Sequence, residues 1–282
     1  MRVLVLGARG MLGTDILKEW QDDDLFPAGS AEADLREPRQ IESLVQRVRP
    51  DWIVLSAAYT DVDGCERNPE LAFAVNATGV ENVARAAKAA NAKVFLLSTD
   101  YVFAGQGTRP YEANDAVAPI NVYGASKAAG EEALRAIHPA WCIGRTSWLF
   151  GVHGPSFPGK ILAAAKSRRE LSVVDDQTGS PTYTRDLAVA IRGLIRKDAR
   201  GILHITNEGT CTWFDFAREI LIRSGFGNLP IRPISTDQSA RPARRPNYSV
   251  LSPASLHSFG LRTRPWPDAL ESFLKEQSAA LP

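Results

Sequence analysis

Four apolar residues, Val3 to Leu6, run straight into the loop Gly7-Ala-Arg-Gly10-Met-Leu-Gly13, and a helix-patterned stretch over 11–21 follows at once. Few architectures accept a strand, a glycine-rich turn and a helix in that order at the head of a chain. Glycine permits the tight turn and lets the backbone come close to a ligand. The helix N-terminus then offers free N–H groups and a partial positive charge, which suit a phosphate. The spacing is GxxGxxG rather than GxGxxG, but its place between strand and helix points to a dinucleotide pyrophosphate over a merely structural turn.

The pattern then repeats. Apolar runs at 25–28, 52–57, 93–98 and 141–147 alternate with helical spacing at 37–49, 69–90 and 124–137. Continuous apolar runs mark strands buried on both faces, and helices between them imply parallel crossovers. The expected fold class is α/β: a doubly wound parallel sheet of Rossmann type with a smaller C-terminal substrate-binding lobe. The second half is less regular. Stretches 157–168, 182–196, 213–224 and 268–276 look helical, with Thr212 as N-cap of the third. Stretches 171–175 and 202–206 look like strands, and 232–247, rich in Pro and Arg, reads as a loop. The expected division puts 1–150 and 170–206 in the dinucleotide-binding domain, and 151–169 and 207–282 in the other lobe.

Composition narrows the class. A net charge of +1 over 282 residues gives no bulk attraction to nucleic acid or an acidic membrane, so neither is expected as a partner. Cys65, Cys142 and Cys211 stand far apart, with no CxxC pair and no disulfide framework, which favours a reducing compartment. The apolar N-terminal run stops at Gly7, too short for a signal peptide or a spanning helix, so the expected location is cytoplasmic.

A second constellation follows the fourth apolar run. Tyr123-Gly-Ala-Ser-Lys127 opens a helix, and residues four apart share a helix face. A free phenol has a pKa of about 10, and a neighbouring ammonium is expected to lower it. Just before it, Leu97-Ser98-Thr99-Asp100 ends the fourth strand. A hydroxyl at the carboxyl end of a parallel strand faces the ligand crevice and can hydrogen-bond a carbonyl that is becoming an alkoxide. Each element alone is common; a glycine loop, a strand-end hydroxyl, a tyrosine and a lysine together specify a nicotinamide-dependent reductase. For the dinucleotide, the second strand ends in Ala28-Gly29-Ser30, with Glu32 and Asp34 slightly later, so the acid that holds an NAD ribose is missing from its usual place. Arg9 inside the loop can face a 2′-phosphate. NADPH is therefore the expected cofactor, with NADH as the alternative, and Asp34-Leu35 fits an adenine-side contact.

With these residues in view, the chain resembles the extended short-chain dehydrogenase/reductase superfamily, and within it the dTDP-4-dehydrorhamnose reductase family. The matching stretches are GARGMLG at 7–13, SAAYTDVDGCE at 56–66, the NAT-G element at 76–79, STDYVFAG at 98–105 and NVYGASKAAGE at 121–131. They continue with RTSWLFG at 145–151, VVDDQTGSPTYTRDLA at 173–188 and RRPNYSVL at 244–251. The resemblance implies Thr99, Tyr123 and Lys127 as the catalytic set. It implies Gly7, Arg9, Gly10, Met11, Leu12, Gly13, Asp34, Leu35, Ala57, Ala58, Tyr59 and Asn76, with Tyr123 and Lys127, around the cofactor. It implies Val62, Thr99, Asp100 and Trp148 around a sugar nucleotide, with Arg244 and Arg245 as a diphosphate clamp.

The implied reaction is reduction of the C4 ketone of dTDP-4-dehydro-L-rhamnose. The alternatives are another nucleotide-linked 4-keto-6-deoxy sugar, or a non-catalytic regulatory subunit of the same fold. Some members of the family hold Mg²⁺ through glutamates at a dimer contact. Here Asp15 and Arg185 stand at two of those positions, so no metal is assigned, and the chain is expected as a monomer or homodimer.

Overall fold

The computed structural model describes residues 1–279. The chain opens with β1 (Arg2–Leu6), α1 (Met11–Glu19), β2 (Asp24–Ala28), α2 (Pro38–Val48) and β3 (Trp52–Leu55). Next come α3 (Val62–Arg67), α4 (Pro69–Phe73), α5 (Gly79–Ala89), β4 (Lys93–Thr99), α6 (Val122–Ile137) and β5 (Trp141–Thr146). The middle holds β6 (Leu149–Phe150), α7 (Phe157–Ser167), β7 (Leu171–Val174), β8 (Thr178–Gly179), β9 (Thr182–Tyr183) and α8 (Thr184–Arg196). The last part is β10 (Gly201–His204), β11 (Cys211–Thr212), α9 (Trp213–Arg223), β12 (Ile231–Ile234), α10 (Ala254–His257) and α11 (Trp266–Ala279).

Six strands form one parallel sheet in the order β10-β5-β4-β3-β1-β2. The α/β reading of the first half therefore holds. The order reverses between β1 and β3, and the carboxyl ends of strands flanking such a switch form the ligand crevice of open α/β sheets. β2 is an edge strand, which is why Pro27 is tolerated in it despite lacking a ladder N–H. Helices cover both faces. On one side α2 presents Ile41, Leu44, Val45 and Val48, a single buried stripe at helical spacing, alongside Val80, Val83, Ala84 and Ala87 of α5. On the other side α1 and α8 bring Leu12, Ile16, Leu187, Ile191 and Leu194 against Val3, Val5, Val54 and Phe95.

A second core lies beyond the sheet. Phe150, Tyr183, Phe216 and Phe273 are buried together, with Ile220, Leu221 and Leu270 around them. β7 belongs here. The expectation that 171–175 returns to the dinucleotide half is corrected by its pairing: β7 runs parallel to β12, and Leu171 and Val173 point into the second core. That pairing also turns 231–234, inside the stretch read as a loop, into a strand, since Pro233 is accommodated in a short two-stranded ladder. Thr212 caps α9 as expected, its hydroxyl accepting from Asp215 N at 3.0 Å.

The stretch 69–90 is not one helix. α4 ends at Phe73, a π-helical turn covers Ala74–Thr78, and α5 follows. The wide turn faces Asn76 inward, where it is 1% exposed. Its Oδ1 accepts from Tyr59 N at 2.8 Å, and its Nδ2 donates to Tyr59 O and to Ser126 Oγ, both at 3.0 Å. One amide thus ties the segment after β3 to the helix that carries Tyr123 and Lys127.

Candidate active site

The glycine loop is built for close approach. Gly7 has φ +94°, and a Cβ there would sit 2.6 Å from Ala57 N. A Cβ on Gly13 would lie 2.2 Å from Gly7 O. Both glycines are therefore required by sterics, one for the turn and one for helix–strand packing. Gly10 is exposed at the N-cap of α1 with no side chain capping it, and the first turn holds no acid. The helix end is left open to an anion. Met11 is half-buried beside Gly154, while Leu12 points into the core, so Leu12 offers the crevice only its backbone. These residues fit a bound pyrophosphate.

At the end of β2 a cavity of about 380 Å³ is lined by Gly7, Gly29, Ser30, Asp34, Leu35, Ala57 and Ala58. That volume suits an adenosine. Asp34 is engaged by Arg36, whose Nε reaches its two oxygens at 3.0 and 3.1 Å. Glu32, slightly beyond the usual place of a ribose-holding acid, lies close to the strand end. Glu32 folds back so that its Oε2 accepts from Gly29 N at 2.8 Å, and its Oε1 pairs with Arg9. A tight turn, Glu32 N to Gly29 O at 3.1 Å, brings it there, which no strand-end count reveals.

Thr99, Tyr123 and Lys127 come together. Asn121 caps α6 by accepting from Gly124 N at 2.7 Å, which starts the helix just before Tyr123. The Tyr123 ring meets Tyr101 edge-on at 5.8 Å, and its phenol is within hydrogen-bonding reach of Thr99. Burial pushes that phenol above its ordinary pKa; Thr99 lowers it in part, and Asp100 raises it further. The expected lowering by Lys127 is not what the structure shows, because the Lys127 ammonium donates to Leu97 O at 2.7 Å instead. Burial brings Lys127 down to about 8, against the opposing pull of the Glu131 carboxylate. A neutral phenol beside a hydroxyl suits proton donation.

Behind the lysine lies a buried ion pair. Arg145 grips Glu131 with two bonds, Nε to Oε1 at 2.9 Å and Nη2 to Oε2 at 2.7 Å, and Ser98 donates to the same carboxylate. Arg145 is 2% exposed and Glu131 4%. Ser98 is thereby an anchor of the strand end rather than a group facing the crevice.

Asp100 is 2% exposed, accepts from Thr99 Oγ1 at 3.0 Å, and has one oxygen without a partner among the described residues. Burial raises its carboxyl to about 7, with Ser249 and Thr99 opposing. A carboxyl raised from about 3.8 to about 7 stabilises the fold fully below pH 4, and the contribution is lost as pH rises to about 7. The melting temperature of Asp100→Asn is therefore expected to gain on that of the native protein between pH 4 and 7. Parallel melting curves across that range would overturn this.

The sugar-nucleotide candidates divide. Val62 starts α3, half-buried, next to Asp63. Trp148, at φ +47°, stacks on Trp213 at 3.6 Å, and Gly179 leaves room for its indole. Trp213 is the indole on the wall of a cavity of about 480 Å³ shared with Tyr101, Phe157, Gln177, Arg241 and Arg245. The Arg244–Arg245 pair does not act as one fork. Arg245 is held by both oxygens of Asp63 at 3.1 Å, and Arg241 reaches the same carboxylate at 3.1 Å. Arg244 is exposed and lines an adjoining groove of about 690 Å³. Asp63, held at about 2 by these partners against its partial burial, is the organiser of the basic loop. It stands inside a matched sequence stretch, but no local pattern names Arg245 as its partner.

Asp15, His153 and Glu276 converge, with ligand atoms within 4.8 Å of one another. The set does not fit Mg²⁺, which asks for oxygen ligands. An imidazole replaces one, and the Lys18 ammonium lies 2.7 Å from His153 Nε2 and 3.6 Å from Glu276. Arg185 pairs with Glu19 at 2.6 Å.

The fold is that of a nucleotide-binding α/β oxidoreductase. Residues 1–279 match the family model described as the RmlD substrate binding domain, and the chain belongs to that family. It is 39% identical to a dTDP-4-dehydrorhamnose reductase of Mycobacterium tuberculosis, over 97% of this chain and 92% of that one. It is 37% identical to the spore coat polysaccharide biosynthesis protein SpsK of Bacillus subtilis, over 99% of both. A crystal structure of dTDP-4-dehydrorhamnose reductase from Bacillus anthracis in complex with NADP superimposes with a TM-score of 0.93, at 40% identity, over 98% of this chain and 99% of that one. No helix among the described residues is long and apolar enough to cross a membrane.

Proposed function

We propose that this chain reduces the C4 ketone of dTDP-4-dehydro-L-rhamnose to give dTDP-L-rhamnose, with NADPH as its reductant. The observation that carries the reading is Tyr123 beside Thr99 at the end of β4, with Lys127 one turn along α6 and bonded to Leu97 O of the same strand. The likeness to dTDP-4-dehydrorhamnose reductases, one of them in complex with NADP, supports the substrate and the cofactor.

The nicotinamide, when bound, supplies the hydride. Tyr123, kept neutral by burial, donates its proton to the C4 oxygen. Thr99 turns its hydroxyl proton from Asp100 to the same oxygen. Lys127 holds the nicotinamide ribose and carries the replacement proton toward Tyr123. Arg241, Arg244 and Arg245 take the diphosphate, and Val62, Asp100 and Trp148, backed by Trp213, enclose the sugar. The glycine loop, the 57–59 segment braced by Asn76, and Asp34-Leu35 take the cofactor. The large sheet with its helices thus does the cofactor's work, and the second core positions the sugar nucleotide.

The test is an absorbance assay with enzymatically made dTDP-4-dehydro-L-rhamnose and NADPH or NADH in turn, followed by stereochemical analysis of the product. Nicotinamide oxidation that yields dTDP-L-rhamnose is expected. The C4 epimer as product would show the same ketone reduced from the other face and overturn the assigned product, and turnover only with a different 4-keto-6-deoxy sugar would move the substrate to that sugar. No oxidation with any keto sugar would overturn the reading.

A further inference from the structure

Two groups that ordinarily distinguish the two nicotinamide dinucleotides stand together beside the adenosine cavity, on the turn whose Gly29 lines it. An acid beyond the second strand accepts from the ribose 2′-OH of NAD, whereas an arginine nearby receives the 2′-phosphate of NADP. Here Glu32 and Arg9 are ion-paired to each other at the turn that follows β2. Glu32 is fixed from behind by the Gly29 N–H at 2.8 Å. The Arg9 chain lies along the same turn: a Cβ on Gly29 would be 3.1 Å from Arg9 Cδ and 3.1 Å from Glu32 Oε2. Asp34, which lines this cavity, is engaged by Arg36, so Glu32 on the adjoining turn is the carboxylate with a lone pair left for a ribose. Both side chains are partly exposed, 72% for Arg9 and 40% for Glu32, so the pair opens at little cost when a ligand competes for either half.

We infer that the Arg9–Glu32 pair sets this protein's balance between NADPH and NADH, with Glu32 acting as a built-in restraint on the 2′-phosphate. The proposal rests on the dinucleotide reading of the glycine loop. With a 2′-phosphate present, Arg9 turns to it, while the fixed carboxylate of Glu32 repels it. With a 2′-hydroxyl present, Glu32 accepts its hydrogen bond and Arg9 contributes nothing. A dianion about 6 Å from a carboxylate in a water-like medium loses roughly tenfold in affinity.

The experiment is calorimetric titration of NADP⁺ and of NAD⁺ into the native protein, Glu32→Gln and Arg9→Gln, without any sugar nucleotide, at low and high salt. The ratio of NAD⁺ to NADP⁺ dissociation constants is expected to rise about tenfold in Glu32→Gln and to fall by about tenfold or more in Arg9→Gln. Both shifts should shrink at high salt. Circular dichroism and melting temperature check that the two exposed substitutions leave the fold intact. A ratio unmoved in both variants, while the native protein binds both dinucleotides, overturns the inference and leaves the proposed function standing. Failure of the native protein to bind either dinucleotide overturns the proposed function itself.

Discussion

Tyr123→Phe is expected to lower turnover by roughly 10²–10⁴-fold, the range that a positioned proton donor contributes. Dinucleotide affinity should stay essentially unchanged. The substitution removes one hydroxyl and keeps the ring that packs edge-on against Tyr101. It leaves Lys127 on the Leu97 carbonyl and the Asn121 cap untouched. The loss should therefore fall on the chemical step, read as a drop in kcat with little change in KM for the dinucleotide. Titration of NADP⁺ into the variant reports the binding half separately. Full retained turnover would remove Tyr123 from the mechanism and, with it, the proton path from Lys127.

Arg145→Met is expected to cost about 3–5 kcal/mol of stability, because it takes both guanidinium bonds from the buried Glu131 carboxylate and leaves it Ser98 and the pull of the Lys127 ammonium. Denaturant unfolding measures the loss. The companion Arg145→Met/Glu131→Leu protein should recover part of it, since an apolar pair of similar size removes the stranded carboxylate while Lys127 keeps its bond to Leu97 O. A double variant as unstable as the single one would show that the damage comes from packing around Phe103, over which Arg145 sits at 5.0 Å, and not from charge.

The two predictions mark where local sequence patterns stop. Tyr123 and Lys127 are four residues apart on one helix, so their common face is visible in the sequence. The glycine loop and the five N-terminal strands are equally local signals, carried by apolar runs and their spacing. Glu131 and Arg145 sit on a helix and a strand, and nothing in either neighbourhood says that they meet. The same holds for Asp63 with Arg245, and for Trp148 with Trp213. Arg9 stands out in the sequence as a candidate for a phosphate, whereas its pairing with Glu32 is not legible there, because a turn at Gly29 brings the acid back past the strand end. The break at 74–78 was hidden for a different reason: a π turn keeps the apolar periodicity of its flanking helices while adding one residue to the turn. The strand at 231–234 was hidden by Pro233, whose missing N–H only a short ladder forgives.

The position of β10 in the sheet bears on how the protein is made. Its partner β5 ends at Thr146, but β10 itself begins at Gly201, after the chain has crossed into the second core and returned through α8. A ribosome that has released only the first 150 residues has therefore delivered five strands with one side of β5 unpaired. The face meant for Leu187, Ile191 and Leu194 is bare at that stage. Unpaired strand edges and uncovered apolar faces are what draw nascent chains into aggregates. A fragment cut at residue 150 is consequently expected to be insoluble, because the edge of β5 and the apolar face that α8 covers both wait for residues beyond 180.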